Sequence, residues 1–154
     1  MDTKTRAAHA YHEAGHAVVN VAGGLVVEGI TVSDAVRRTD VVGLEDLERE
    51  KPLGEEYRRR SEPYLIGQLA GGLAERRHSG FDNDSGADDR VNAAWLACEI
   101  LPDSEALQTY LDRMSAAADD AVAANWPAID TVAKRLCETE HVSRAELESL
   151  IRGA

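Results

Sequence analysis

The sequence predicts a mainly α protein (α+β) with one small β element, and three observations carry that expectation. Apolar residues recur at helical spacing through most of the chain. Two short β-prone runs, residues 25–32 and 41–44, stand close together near the start. Gly, Pro and Asn sit where the helical periods stop.

Residues 5–22 form the first expected helix. Tyr11, Ala14, Val18, Val21 and Ala22 make one apolar face; Asp2, Thr3 or Thr5 can cap its start, and Gly23-Gly24 ends it. Gly15 lowers helix propensity, which points to close approach by another backbone. A polar turn over 33–40 would join the two β-prone runs into a hairpin beside this helix. Residues 45–60 are charge-rich and expected to be exposed. Pro63 opens a second helix that Gly80 stops, with Ile66, Leu69, Ala70, Leu73 and Ala74 as its buried stripe. Gly71-Gly72 in its middle implies tight packing, with the first helix as the natural neighbour. A polar loop over 81–86 leads to a third helix over 87–101, expected to turn Val91, Ala94, Trp95 and Cys98 inward before Pro102-Asp103 breaks it. The next helix covers 104–124, with Leu107, Tyr110, Leu111, Met114 and Val122 inward. Asn125-Trp126-Pro127 restarts the chain into a helix carrying Ile129, Val132, Ala133 and Leu136. Ser143-Arg144-Ala145-Glu146 is a capping box that opens a short last helix through Leu147 and Ile151.

The 154 residues fit one domain over 1–154. Hydrophobic residues make up 44% and charged residues 29%, the balance of an ordinary soluble protein. A net charge of −11 argues against nucleic-acid and anionic-membrane partners, because both need a basic face. No apolar run approaches a membrane span, and Met1-Asp2-Thr3-Lys4-Thr5-Arg6 lacks the apolar stretch of a leader, so a cytoplasmic protein is expected. Cys98 and Cys137 have no CxxC spacing and are expected to be buried free thiols.

The chemistry concentrates in the first helix. His12-Glu13-Ala14-Gly15-His16 is an HExxH sequence. Helical residues turn about 100° each, so the two histidines stack one turn apart and can grip one metal ion. Glu13 beside them can take a proton from a water that the metal activates. The ordinary alternative is two polar residues on a solvated helix. A catalytic zinc commonly has three protein ligands and an open position. Candidates for the third ligand are Glu75, His78, Asp84, Asp88 and Asp89, then His9 and His141. His9 reads more simply as a surface histidine. Asp84, Asp88 and Asp89 sit at a helix start, where acidic residues are often only caps or dipole partners.

Residues 10–19, Ala-Tyr-His-Glu-Ala-Gly-His-Ala-Val-Val, resemble the zinc helix of the FtsH-type peptidase family, the protease half of the AAA+ membrane proteases. Three further segments resemble it in the same order. Residues 26–32 are similar to the strand after the zinc helix. Leu69-Ala70-Gly71-Gly72-Leu73-Ala74-Glu75 is similar to Leu-Gly-Gly-Arg-Ala-Ala-Glu. Residues 85–94 are similar to the Thr-Gly-Ala-Ser-Asn-Asp segment, whose last Asp is the third zinc ligand. Counting back from Ala93-Ala94 puts that ligand on Asp89; counting forward from Gly86-Ala87 leaves Asp88 open. The resemblance covers residues 7–100, and the chain beyond 103 is similar only in being helical. It divides the expected domain into a zinc-site core over 1–101 and C-terminal helices over 102–154.

The resemblance implies a zinc metalloendopeptidase with His12, His16 and Asp89 (second choice Asp88) on one zinc ion and Glu13 as the catalytic residue. Its substrate would be a peptide or unfolded protein lying along the edge of the small β element. The sequence holds no Gly-rich phosphate loop, so the family's ATPase motor is not present in it, and a separate unfoldase or adaptor could serve as partner. The family's arginine in the Gly-Gly-Arg string is Leu73 here. The family forms hexameric rings through parts missing here, which leaves an oligomer open. Two alternatives stand beside the peptidase: a catalytically weak zinc-binding regulatory or interaction module, and a zinc hydrolase acting on something other than a peptide.

Overall fold

The longest unbroken buried stretch among the described residues, 10–20, belongs to helix α1 (Thr3–Ala22). The computed structural model describes residues 1–42, 55–81, 86–101 and 104–154. Asp2 caps α1 by accepting from the Thr5 amide at 3.0 Å, which starts the helix two residues earlier than expected. Of the expected apolar stripe Tyr11, Ala14 and Val18 are buried, Val21 is partly buried and Ala22 is exposed. Neighbouring elements cover the other sides as well, so His12, Glu13, His16 and Asn20 are also buried.

Strand β1 (Val26–Val32) follows and pairs antiparallel with β2 (Arg37–Val42). A register shift between Val27 and Gly29 lets Val27, Ile30 and Val32 all reach the core, although 27 and 30 are an odd number apart. The hairpin was expected with a turn over 33–40 and its second strand over 41–44. The strand instead begins at Arg37, and Gly43 and Leu44 lie outside the described residues. Arg37-Arg38-Thr39-Asp40 shows no apolar alternation because β2 is an edge strand, where charge is common and pairing with β1 supplies the order.

Helix α2 (Glu55–Ser79) starts eight residues before Pro63, which sits inside it. Proline removes one helical hydrogen bond, yet the turns around it are tied down by tertiary contacts. Ser61 and Leu65 are fully buried, and the Tyr110 hydroxyl donates to Glu62 at 3.1 Å. Helix α3 (Ala87–Ile100), α4 (Ser104–Ala124) and α5 (Trp126–Thr139) follow. Glu140 adopts a left-handed φ of 62° and turns the chain straight into β3 (His141–Ser143), then α6 (Arg144–Gly153). Three-residue β3 had no sequence signal. It pairs antiparallel with the other side of β1, giving the order β2-β1-β3. The expected capping box is half formed: Ser143 accepts from the Glu146 amide, while the Glu146 carboxylate takes Arg135 Nε at 2.6 Å.

Two apolar clusters hold these elements together. The first joins α1 and β1 to α5, β3 and α6 through Val18, Ile30, Ile129, Leu136, Val142 and Leu147. The second lies among α2, α3 and α4 around Leu65, Ala97 and Met114. On α3 three of the four residues expected to face inward turn outward, and Ala94 is partly buried. Val91, Trp95 and Cys98 are exposed, Trp95 to 72%, and Ala93 and Ala97 are the buried pair. Small residues win there because α3 lies close to α2, where the start of α3 meets Gly72. Among the described residues no helix is long and apolar enough to cross a membrane.

Candidate metal centre

Packing between α1 and α2 brings the metal-binding groups together, and glycine makes that packing possible. A Cβ on Gly15 would lie 2.7 Å from Ala74 Cβ and 2.8 Å from the Ala70 carbonyl, so the two helices touch backbone to backbone. A Cβ on Gly71 would lie 2.4 Å from His16 Nε2 and 2.9 Å from His12 Nε2. The space it leaves empty is filled by the two imidazole rings. Gly72, next in line, faces Gly86 at the start of α3 instead. The glycine pair thus positions the histidines on one side and the helix bearing Asp89 on the other.

Three ligand-type atoms converge there. His12 Nε2 and His16 Nε2 are 3.0 Å apart; Asp89 Oδ2 lies 2.9 Å from the first and 3.4 Å from the second. Ligand atoms about 2.0–2.1 Å from a tetrahedral zinc would stand roughly 3.3 Å from one another. Both rings are held from behind. His16 Nδ1 donates to the Gly67 carbonyl at 2.8 Å, and His12 Nδ1 faces Glu75 Oε2 at 3.0 Å. A carbonyl can only accept, so Nδ1 of His16 carries a proton and its Nε2 is the nitrogen that faces the cluster. Two nitrogens and a carboxylate oxygen this close need a cation or a proton among them. The donor set therefore fits a zinc ion.

In the absence of a metal, a proton on His12 balances the charge at this point. Burial pushes the His12 pKa down, but hydrogen bonds to Asp89 and Glu75 and the charge of Glu13 outweigh it and raise it to about 9. Burial pushes the Asp89 carboxyl up, and its bonds to His12 and His16 win, holding it well below the usual carboxylate range.

Glu13 is 4% exposed and lines the same pocket as the cluster. Thr39 Oγ1 lies 2.8 Å from Glu13 Oε2, and Arg37 Nε lies 3.4 Å from Oε1. Both partners come from β2. The pocket, about 310 Å³, is also lined by Asn20, Arg38, Tyr64, Gln68 and Asp88.

Of the candidate third ligands among the described residues, only Asp89 joins the histidines. Asp88 is exposed at the pocket's rim. Glu75 is buried behind His12 as its hydrogen-bond partner. His78 stacks on Tyr11, ring centroids 3.7 Å apart. His9 is half-buried, with its pKa lowered by burial and by Arg37. His141 meets the Thr31 hydroxyl at 3.1 Å. Asp84 lies outside the described residues. The roles of Thr39, Arg37 and the Gly67 carbonyl had no sequence signal. Asn20 did have one, as the next residue after His12 and His16 in a series of steps of four. The chain matches no known protein-family model and no curated protein.

Proposed function

We propose that the chain is a zinc-dependent metalloendopeptidase of the FtsH type. The single observation that carries the reading is the convergence of His12, His16 and Asp89 in a pocket that Glu13 also lines. The first two would bind through Nε2 and Asp89 through Oδ2. A zinc ion held there would supply Lewis acidity toward a peptide carbonyl and a bound water of pKa about 7. Glu13 accepts the attacking water's proton and hands it to the departing amine. Thr39 bonds one carboxylate oxygen, and the other, 3.4 Å from Arg37 Nε, is left to move the proton. Glu75 and the Gly67 carbonyl keep both imidazoles in the Nδ1–H form that leaves Nε2 free to coordinate.

The substrate class follows from β2. It is an outer strand of the sheet and gives Arg37, Arg38, Thr39 and Val41 to the pocket wall. An extended peptide can add to that edge through main-chain hydrogen bonds, which favours unfolded or flexible polypeptides in the cytoplasm with little side-chain selectivity. A separate unfoldase or adaptor would deliver folded targets.

One observation favours a second reading, a catalytically weak metal-binding regulatory module. Arg37 sits on the Glu13 carboxylate and competes for the lone pair that a base needs. Incubation of zinc-loaded protein with unfolded casein tests between them. Cleavage is expected, and Glu13→Gln is expected to abolish it while retaining one zinc per chain. No cleavage by the intact zinc-loaded protein would overturn the peptidase in favour of the module.

A further inference from the structure

We infer that Asn20 is a substrate-contacting residue, its carboxamide pairing with a main-chain peptide group of the bound polypeptide. This rests on the peptidase reading and extends it to how the substrate is held. Asn20 is 1% exposed, yet among the described residues neither its Oδ1 nor its Nδ2 has a hydrogen-bond partner. A buried amide normally finds one. Its place is the telling feature. It lies one turn beyond His16 on α1 and lines the same pocket as His12, Glu13, His16 and Asp89.

The neighbouring polar groups of the cluster already have partners. His16 holds the Gly67 carbonyl, His12 faces Glu75, Glu13 meets Thr39 and Arg37, and Arg38 pairs with Asp40. Room for the Asn20 side chain is made on purpose by the opposite helix. A Cβ on Gly67 would lie 2.0 Å from Asn20 Oδ1, so any residue but glycine would expel the carboxamide. The molecule thus keeps a polar, unpaired group at the floor of its reactive pocket.

A carboxamide offers an acceptor and donors side by side, the complement of a peptide N–H and C=O. Such a group recognises backbone and not side chain, which matches binding of extended chains of varied sequence. In the structure the carboxamide is packed on Gly67. It would swing off that contact into the pocket to meet the peptide, gaining the partners it lacks.

The test uses the full chain with zinc bound and Glu13→Gln, so that peptide is held and not cut. A fluorescein-labelled ten-residue casein peptide is titrated and its anisotropy read. Adding Asn20→Leu, of similar volume but without polar atoms, is expected to weaken binding by about tenfold or more. Zinc content should stay at one per chain and the melting temperature should hold or rise, because an unpaired buried amide has been removed. Asn20→Ala serves as the second variant and is expected to weaken binding likewise. Unchanged peptide affinity in both variants overturns the assignment of Asn20 and leaves the peptidase standing. Absence of any peptide binding to the Glu13→Gln protein overturns the peptidase reading and this inference together.

Discussion

At the scale of single residues, the candidate metal cluster depends on an atom that is missing. Gly71 has no Cβ, and the rings of His12 and His16 occupy the space one would fill. A methyl group 2.4 Å from His16 Nε2 cannot be accommodated by a flexible chain end, because the ring is held at Nδ1 by the Gly67 carbonyl. Gly71→Ala is therefore expected to reduce bound zinc from one per chain to a small fraction, measured by metal analysis after dialysis. The same substitution removes a mid-helix glycine from α2, worth roughly 0.5–1 kcal/mol of helix stability, so loss of metal need not mean loss of fold. Retention of full zinc by Gly71→Ala would show that the rings approach one another differently. The HExxH string announces the histidines and the base, but not this requirement. It lies fifty-five residues beyond His16 and becomes visible only when α1 and α2 touch.

At the scale of the element, α3 shows how one residue's role sets the face of a whole helix. Helical residues turn about 100° each, so Ala93 and Ala97 follow Asp89 around the same side, while Val91 and Cys98 come out roughly opposite. Turning Asp89 toward the histidines therefore buries Ala93 and Ala97 and exposes Val91, Trp95 and Cys98. The larger apolar stripe would have been buried had Asp88 been the inward aspartate, since Asp88 and Trp95 lie within about 20° on the helix. The choice between Asp88 and Asp89 and the choice of buried face were thus one choice. Trp95→Ala is expected to change unfolding free energy by less than about 0.5 kcal/mol, as for a solvated position. Leu65→Ala, at a fully buried site on α2, should cost about 2–5 kcal/mol. Urea unfolding of both variants checks the pair, and a large loss in Trp95→Ala would return α3 to the orientation its hydrophobic pattern favours.

At the scale of the whole molecule, the buried charges tie stability to pH. His12 titrates near 9 in the fold against an ordinary 6.5. In metal-free protein the folded state therefore binds an extra proton between those values. Its stabilising contribution is complete below 6.5 and is lost as pH rises through about 9. Asp89 acts at the other end: its depressed pKa stabilises above the ordinary 3.8 and is lost as pH falls further. The melting temperature of EDTA-stripped protein is expected to decline from pH 6.5 to 9.5. Zinc-loaded protein should show no such decline, because the metal displaces the proton. Parallel profiles with and without zinc would mean that His12 does not coordinate.

Helical periodicity, turn residues and a five-residue motif were enough to read a mainly α protein with a small β element, and to single out His12, Glu13 and His16; Asp89 is preferred over Asp88 only through the resemblance to the FtsH-type family. Periodicity, turns and motif are local signals: each depends on spacing within one element, which the sequence states directly. The second and third strands, the helix through Pro63, the exposed face of α3 and the partners of the metal cluster were settled by contacts between distant segments. β2 is ordered by pairing with β1 and not by its own Arg-Arg-Thr-Asp pattern. α2 continues through Pro63 because Ser61, Glu62 and Leu65 are anchored by neighbours. Thr39, Glu75 and the Gly67 carbonyl reach the HExxH residues across gaps of 26, 63 and 51 positions. Sequence determines which side chains can coordinate a metal; only tertiary packing decides which face turns inward and what holds the ligands in place.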